Sequence, residues 1–401
     1  MSKKSPQLRF EGFTDDWEQR KLKDIVNRVT RKNKNLESTL PLTISAQYGL
    51  VDQITFFNKQ IASKDMSGYY LLQKGEFAYN KSYSKDFPWG AIKRLNMYDE
   101  GVLSTLYIAF LPFKVNSDFL VSYYETDGWH KEVAIRAAEG ARNHGLLNIT
   151  AVDFFDTGLM IPPNNDEQQE IGGFFIELDH TITLHQRKLD LLKEQKKGFL
   201  QKMFPKNGAK VPELRFAGFA DDWEERKLGD VFSGRSERSS EGELISVTIN
   251  SGVVKASELD RKDNSSNDKS NYKKVEVGDI AYNSMRMWQG ASGYSSYDGI
   301  LSPAYTVIIP KEGTDSKFFA YDFKRHDMIQ TFKRNSQGLT SDTWNLKFST
   351  LKSVKVMVPC MEEQTKISNF FERLDTTITL HQRKLDLLKE QKKGFLQKMF
   401  V

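Results

Sequence analysis

The chain has 401 residues, of which 39% are apolar and 28% charged, a balance typical of folded proteins and not of disordered or membrane-embedded ones. Its 58 basic and 53 acidic side chains give a net charge of +5, which by itself favours an anionic partner only slightly. One cysteine excludes an intrachain disulfide, and neither a signal peptide nor an apolar run of about 20 residues is present, so we expect a cytoplasmic protein of two or three domains.

Two blocks of sequence occur twice along the chain. Residues 6–26 and 212–232 share 14 of 21 positions, and residues 178–204 and 374–400 share 26 of 27, the exception being His180 against Thr376. The segments between these blocks have diverged. Duplication alone would leave all segments equally alike. The simplest interpretation is that the matching blocks meet identical partners, whereas the divergent segments meet two different ones.

The first divergent segment, residues 27–165, is predicted to be mixed α/β. Short β-like runs near Ile44, Ile54, Phe77, 103–110 and 159–161 alternate with turn residues. Its loops combine basic, amide and aromatic side chains. Arginine suits guanine edges, asparagine and glutamine suit adenine edges, and lysine suits phosphates. The candidate DNA-binding residues, each of which could equally be ordinary surface, are Asn80, Lys81, Tyr83, Lys85, Lys93, Arg94, Arg142, Asn143 and His144.

The first near-identical block predicts a coiled-coil helix about 40 Å long, since 27 residues rise 1.5 Å each. Leu184, Leu191 and Leu200 lie off its seam, which indicates either a surface for another protein or packing against the chain's own domains. The seam histidines are more typical of a helix interface than of a metal site. Basic residues exceed acidic ones by four between Arg187 and Lys202, so this face is either solvated or follows phosphates. The predicted seam contains Leu178, Ile182, His185, Leu189, Leu192, Phe199 and Met203.

The second half of the chain repeats this order. Residues 233–361 are again predicted to be mixed α/β, with β-like runs at 244–249, 275–282, 305–309 and 354–358. Its candidate DNA-binding residues are Asn283, Ser284, Arg286, Met287, Trp288, Gln289, Arg334, Ser336, Gln337 and Thr340. The second seam contains Leu374, Ile378, His381, Leu385, Leu388, Phe395 and Met399.

Several motifs of catalysis are missing from the sequence. It has no P-loop, no glycine-rich dinucleotide fingerprint, no His-Glu-x-x-His and no paired Cys-x-x-Cys. Pro162-Pro163-Asn164 departs at both flanks from the motif of amino-methyltransferases. We therefore assign no catalytic residue and no metal ligand, which favours a binding protein over an enzyme.

The order of these blocks resembles the DNA-specificity subunit of type I restriction–modification systems. The resemblance rests on LRFxGFxxDWExRKL around Trp17 and Trp223, on the Glu-Gln pairs at Glu167-Gln168 and Glu363-Gln364, and on the long heptad helix after each pair. It spans essentially the whole chain, and Asn164-Asn165-Asp166 and Cys360 depart from the usual residues before the helix.

This resemblance implies an α+β protein with two target-recognition domains in a pseudo-twofold repeat, separated by two long helices packed as an antiparallel coiled coil. It also implies double-stranded DNA, two methyltransferase subunits and restriction subunits as partners, and no membrane. S-adenosylmethionine, ATP and magnesium would belong to those partners, with no cofactor in this chain. The domains predicted are 1–165 (recognition, with block 6–26), 166–205 (spacer helix), 206–361 (recognition, with block 212–232) and 362–401 (spacer helix).

Two other classes of function remain open. A free-standing DNA-binding regulator would bind tightly without other subunits, and a protein scaffold would show no salt-dependent affinity for DNA. Under the specificity-subunit hypothesis the rod acts as a ruler, because about 40 Å is close to one turn of B-DNA.

Overall fold

The computed structural model describes residues 4–45, 48–59, 61–82, 84–85, 87–137, 147–206, 208–260, 265–340 and 343–401. The chain divides into two compact units. The first contains Met1–Gln186 and Arg383–Val401, and the second contains Arg187–Gln382. The predicted domain limits follow chain order and remain a prediction.

The first unit contains β1 to β10. Its elements are β1 (Glu18–Lys21), α1 (Leu22–Ile25), β2 (Val26–Val29), β3 (Leu42–Ser45), β4 (Gly49–Asp52), α2 (Gln53–Phe57), β5 (Tyr70–Gln73), β6 (Phe77–Asn80), β7 (Ala91–Arg94), β8 (Glu100–Leu103), β9 (Ile108–Pro112), α3 (Ser117–Tyr123), α4 (His130–Arg136), α5 (Ala151–Phe155), β10 (Gly158–Ile161) and the start of α6 (Asn165–Lys202).

The second unit repeats the series with β11 to β20. Its elements are β11 (Glu224–Lys227), α7 (Leu228–Val231), β12 (Phe232–Gly234), β13 (Ile245–Thr248), β14 (Gly252–Lys255), β15 (Lys273–Val275), β16 (Ile280–Asn283), β17 (Ser292–Tyr294), β18 (Gly299–Leu301), β19 (Tyr305–Pro310), α8 (Ser316–Asp322), α9 (His326–Asn335), α10 (Phe348–Leu351), β20 (Lys355–Val358) and the start of α11 (Met361–Met399).

Strand pairing shows that the two units share one topology. The first unit has a four-stranded sheet in the order β2-β9-β6-β7, and the second has β12-β19-β16-β17. The two-stranded pairs β1-β10, β3-β4 and β5-β8 likewise correspond to β11-β20, β13-β14 and β15-β18. All the pairings are antiparallel. The diverged segments have therefore kept the fold that their sequences barely share.

Each unit closes its core around the tryptophan of the repeated block. Trp17 is 2% exposed and packs edge-on against Phe119, with ring centroids 5.9 Å apart. Trp223 packs edge-on against Phe204 at 6.1 Å and at a tilt against Phe318 at 5.7 Å. Burying such large rings contributes several kcal/mol to each unit. The repeated block is therefore a structural element of each core.

Two long helices, α6 with 38 residues and α11 with 39, contribute to both units. In the first unit Phe174 contacts Phe395 with centroids 5.1 Å apart, and Lys392 Nζ lies 2.5 Å from Asp179. Because the residue number rises along α6 as it falls along α11, these helix segments run antiparallel. The predicted mixed α+β class, with long helices and two sheet-rich domains, is confirmed.

The second unit pairs the other halves of the helices in the same way. Phe199 contacts Phe370 with centroids 5.0 Å apart, and Lys196 Nζ lies 2.5 Å from Asp375. The residues predicted to form the two seams are buried or half-buried, and the most deeply buried of them are Leu189, Leu192, Met203, Leu385, Leu388 and Met399.

Three local predictions differ from the structure. The β-like runs predicted at 103–110 and 275–282 are each divided by a turn, which separates β8 from β9 and β15 from β16. Ile54 was predicted to lie in a strand, but it lies in the first turn of α2. The Asp52 carboxylate accepts hydrogen bonds from the amides of Ile54 and Thr55 at 2.9 and 3.3 Å. This N-cap, which the apolar pattern does not reveal, ends β4 and starts the helix.

Candidate nucleic-acid interface

The hairpin of β16 and β17 carries one cluster of candidate residues at its tip, residues 284–291. Asn283 ends β16 and accepts a hydrogen bond from the amide of Met285 at 3.0 Å. A 3₁₀ turn over Met287–Gln289 follows, and Gly290 ends it in the left-handed region with φ of 84°. Glycine adopts this conformation without steric cost. The tip is therefore a defined turn.

The tip separates its candidate residues into inward and outward groups. Met287 is fully buried in the core of the second unit, and Ser284 is 6% exposed. Both are thus withdrawn from solvent, because the turn directs them inward. Arg286 is exposed, while Trp288 and Gln289 are half-buried. The outward group contains the side chains available to a ligand.

The second candidate cluster of this unit, at the end of α9 and in the segment that follows it, packs against the tip. The amide of Leu346 donates to the Ser284 carbonyl at 2.8 Å, and the rings of Trp288 and Trp344 lie 5.2 Å apart. Gln337 is joined to Asn345 by two backbone hydrogen bonds of 2.8 and 3.0 Å. The structure therefore brings the residues predicted around 283–289 and 334–340 into one surface.

The exposed side chains of this surface are polar or basic, except for the apolar Leu339. Arg334, Gln337 and Thr340 are exposed, whereas Ser336 is half-buried and donates to the Phe332 carbonyl at 2.8 Å. Sequence reasoning missed Lys333, Leu339 and Trp344. Leu339 is fully exposed, and Lys333 Nζ lies 5.5 Å from the centre of the Trp344 ring. The basic pair Lys333-Arg334, with Phe332 before it and Trp344 after it, was the available signal.

The first unit builds the same hairpin tip with different residues. The Lys81 carbonyl accepts a hydrogen bond from the amide of Leu147 at 2.9 Å, which matches the Ser284–Leu346 bond of the second unit. Asn80 accepts from the Ser82 amide at 2.9 Å, and Lys85 is exposed at the tip. Tyr83 and residues Arg142, Asn143 and His144 lie outside the described residues.

Lys93 and Arg94 lie away from this tip. Arg94 pairs in register with Phe77, at the end of the hairpin opposite Asn80. Its guanidinium donates to Asp118 at 2.6 Å and to Ser117 at 2.8 Å, and only 14% of the side chain is exposed. Arg94 is therefore engaged in a structural ion pair, and Lys93 beside it is half-buried.

The Glu-Gln pairs, which the sequence marked only as family signatures, join the repeated block to the long helix. Arg9 donates to Glu167 at 2.7 and 2.8 Å, and Arg215 donates to Glu363 at the same two distances. Glu167 and Glu363 are fully buried. The hydrogen bonds to Glu167 and Glu363 raise the pKa of Arg9 and Arg215, respectively. The recurrence of arginine and glutamate in both copies was the signal for this contact.

The adjacent glutamines bind backbone on both sides. Gln168 accepts from the Asn116 amide and donates to the Pro162 carbonyl, each at 2.8 Å. Gln364 does the same with Asp315 and Pro359, each at 2.9 Å. These side chains fix the start of each long helix against α3 or α8.

Within the described ranges, no cluster of three or more histidine, cysteine or acidic residues could hold a metal ion. In the same part of the chain, none of the helices combines the length and apolar character needed to cross a bilayer.

Comparison with known proteins identifies the domain type. Residues 220–390 match the family model "Type I restriction modification DNA specificity domain". A stretch of 83 residues is 36% identical to the type I restriction enzyme MjaIX specificity subunit of Methanocaldococcus jannaschii; this match spans 21% of the chain and 19% of that relative.

A solved structure shares the fold along the whole chain. A type I restriction–modification S subunit from M. genitalium has a TM-score of 0.58 at 14% identity, with 99% of both chains covered. An HsdS subunit from Thermoanaerobacter tengcongensis has a TM-score of 0.45 at 16% identity, with 96% of both covered. The resemblance predicted from the sequence is therefore confirmed, and residues 220–390 are similar to the DNA specificity domain of type I restriction–modification systems.

Proposed function

We propose that this chain recognises a two-part DNA sequence, each unit reading one half-site with its hairpin tip. The observation that carries this proposal is one scaffold built twice with different exposed side chains. The tip bond Lys81–Leu147 corresponds to Ser284–Leu346, yet the outward residues around the two bonds differ. Identical scaffolds with different surfaces are what two independent readers require.

The exposed groups suit the edges and backbone of duplex DNA. Arg286 and Arg334 each offer a planar donor pair, which matches the two acceptors of guanine in the major groove. Gln289 and Gln337 can pair with adenine, while Lys81 and Lys85 suit phosphates. Together, these side chains would determine which DNA sequence each unit reads.

Two methyltransferase subunits would dock on the helix pairs, and restriction subunits would join through them. The support is a repeated apolar feature. Leu184 and Leu387 in the first unit are 50% and 49% exposed, and Leu191 and Leu380 in the second are 52% and 59% exposed. The Asp179–Lys392 and Lys196–Asp375 contacts place the two leucines of each pair at one level of the helices. S-adenosylmethionine, ATP and magnesium would then be bound by the partners.

Selection from a randomised duplex library tests DNA recognition. The full chain, alone and co-expressed with the methyltransferase, should enrich two short sequences at a fixed separation. Affinity should fall steeply with salt, because lysine and arginine contacts to phosphates release counterions. Enrichment of one contiguous site, or of none by the complex, would contradict the proposal. Tight binding by the chain alone would favour the free-standing regulator.

Matched leucine variants test docking. Leu184→Asp with Leu387→Asp should remove one methyltransferase from a 2:1 complex, and Leu191→Asp with Leu380→Asp should remove the other. Light scattering measures the stoichiometry, and the exposed variant Gln195→Asp is the control. A 2:1 complex with all three variants would rule out these leucines as the docking surface.

A further inference from the structure

One lysine of the second unit joins two hairpin turns. Lys324 Nζ donates to the Gly290 carbonyl at 2.5 Å and to the Ile249 carbonyl at 2.9 Å. Gly290 belongs to the tip between β16 and β17, and Ile249 to the turn between β13 and β14. A single ammonium group thus holds both turns in one arrangement.

The contact at Gly290 falls where the tip changes direction. Gly290 closes the 3₁₀ turn by donating its amide to the Met287 carbonyl at 2.9 Å, and its own carbonyl also accepts from the Ser292 amide at 2.9 Å. Arg286 and Gln289 are carried by this same turn. The orientation of the Gly290 peptide therefore decides where the outward side chains of the tip point.

Few charges surround this lysine. Burial first, and the charge of Lys196 second, lower the pKa of Lys324 to about 8. Lys196 is itself held by Asp375, to which the Tyr321 hydroxyl donates at 3.0 Å. The nearby Asp322 carboxylate is bound by Arg325 at 2.7 Å. Lys324 therefore donates to two backbone carbonyls, whereas the nearby carboxylates of Asp375 and Asp322 are bound by Lys196 and Arg325.

The first unit has a different residue at this place. Lys324 is the second residue after α8, and Glu125 is the second residue after the equivalent α3. Glu125 lies 2.5 Å from Lys392 of the long helix. The lysine contact to a hairpin tip is thus a property of the second unit.

We propose that Lys324 is a positioning residue that sets the specificity of the second reading tip by clamping the Gly290 and Ile249 carbonyls. This inference rests on the proposed DNA recognition. Removing the ammonium frees the tip, so Arg286 and Gln289 lose their fixed orientation toward the bases. The half-site read by the first unit does not depend on this contact.

The test is selection from a randomised duplex library at pH 7 with the full chain in its complex. Lys324→Met should lower enrichment of one half-site about tenfold, the effect of losing one charge-assisted hydrogen bond, and should leave the other half-site unchanged. Lys324→Arg should restore part of the loss. Lys311→Met, which removes an exposed lysine bound to the Gly229 carbonyl, is the matched control.

A pH profile separates this role from general stability. Raising the pH from 7 to 9 should weaken the same half-site in the wild-type complex, because a neutral amine is the poorer donor. The folded pKa of Lys324 is below its unfolded value of about 10.4, so deprotonation favours the folded state. Deprotonation of Lys324 should therefore cause no fall in melting temperature between pH 8 and 9. Equal weakening of both half-sites would overturn the proposal.

A second measurement does not depend on DNA. Hydrogen exchange of the amides from 286 to 292 in the full chain should accelerate about tenfold in Lys324→Met and remain unchanged in Lys311→Met. If the wild type selects no DNA, the proposed function fails while this readout still tests the clamp. Unchanged exchange in Lys324→Met would refute the clamp whatever the DNA result.

Discussion

The Arg215–Glu363 pair gives the sharpest prediction of stability. Substituting methionine for Arg215 leaves the Glu363 carboxylate, 1% exposed, without the two hydrogen bonds of 2.7 and 2.8 Å that it receives. Breaking a buried ion pair by removing one partner typically costs about 3–5 kcal/mol, because the remaining charge is left unpaired in the protein interior. The loss should fall on the second unit, since both residues belong to it.

The first unit offers a matched variant. Glu167 receives the same two bonds from Arg9 but also one from Trp17 Nε1 at 3.2 Å. The corresponding Trp223 Nε1 is buried and has no hydrogen-bond partner among the described residues. Arg9→Met therefore leaves its carboxylate one donor, which should make it about 1 kcal/mol less destabilising than Arg215→Met.

Hydrogen exchange resolved by peptide measures this difference, because it reports the opening free energy of each unit separately. A global melt would mix two units that need not unfold together. Arg20→Met, which removes an exposed arginine paired with Glu18, is the control and should leave stability nearly unchanged. The reasoning is wrong if Arg9→Met destabilises its unit as much as Arg215→Met, or if either behaves like the control.

Three further predictions concern the tip, the seam and the spacer. Met287→Ala should lower the opening free energy of the second unit by about 2–5 kcal/mol because Met287 is fully buried, whereas Arg286→Ala should leave it within about 0.5 kcal/mol and weaken DNA binding; peptide-resolved hydrogen exchange measures both. By the same measurement, Lys392→Met should destabilise the first unit about 1–3 kcal/mol more than Lys196→Met destabilises the second, since it removes the cation beside both Asp179 and Glu125. Burial lowers the pKa of Lys392, but Glu125 and Asp179 outweigh it and raise the pKa. The stability that Lys392 contributes is therefore complete below its unfolded pKa of about 10.4 and is lost as the pH rises through its folded pKa. Inserting four residues both after Gln186 and after Gln382 should lengthen each helix by about 6 Å. In library selection, the unread gap between the two half-sites should then widen by about one or two base pairs. An unchanged gap in a folded complex would exclude the role of the helices as a ruler.

The placement of that insertion illustrates what the sequence could predict. By the heptad alone, a point between Leu178 and Asp179 would serve as well as any other for lengthening the helix. The structure shows inter-helix contacts on both sides of that point, at Phe174 and at Asp179. Lengthening α6 alone there would pull one contact away from its partner on α11. Periodicity reveals a seam, but only the register shows where the seam can be opened.

The candidate interface was predictable in outline and not in its individual members. The sequence grouped candidate residues around Asn80 and Asn283, and the structure places these at the ends of β6 and β16. Met287, however, stands among basic and amide residues and is buried because a 3₁₀ turn directs it inward. Arg94 is bound by Asp118, 24 residues away, and Arg9 by Glu167, 158 residues away. Such partners are set by tertiary packing, which local residue patterns do not record.

Sequence identity between the two helices does not give their residues identical surroundings. Lys196 and Lys392 occupy the same place in a block of 26 identities in 27, and each binds the aspartate of the other helix. Their remaining neighbours come from the diverged segments. Glu125 adds a second carboxylate beside Lys392, whereas the charge of Lys196 lowers the pKa of Lys324. The same residue of the repeated block thus gains an extra ion pair in one unit and, in the other, lowers the pKa of the lysine that binds the Gly290 carbonyl. The diverged segments therefore change the electrostatics of the conserved scaffold as well as the exposed surface.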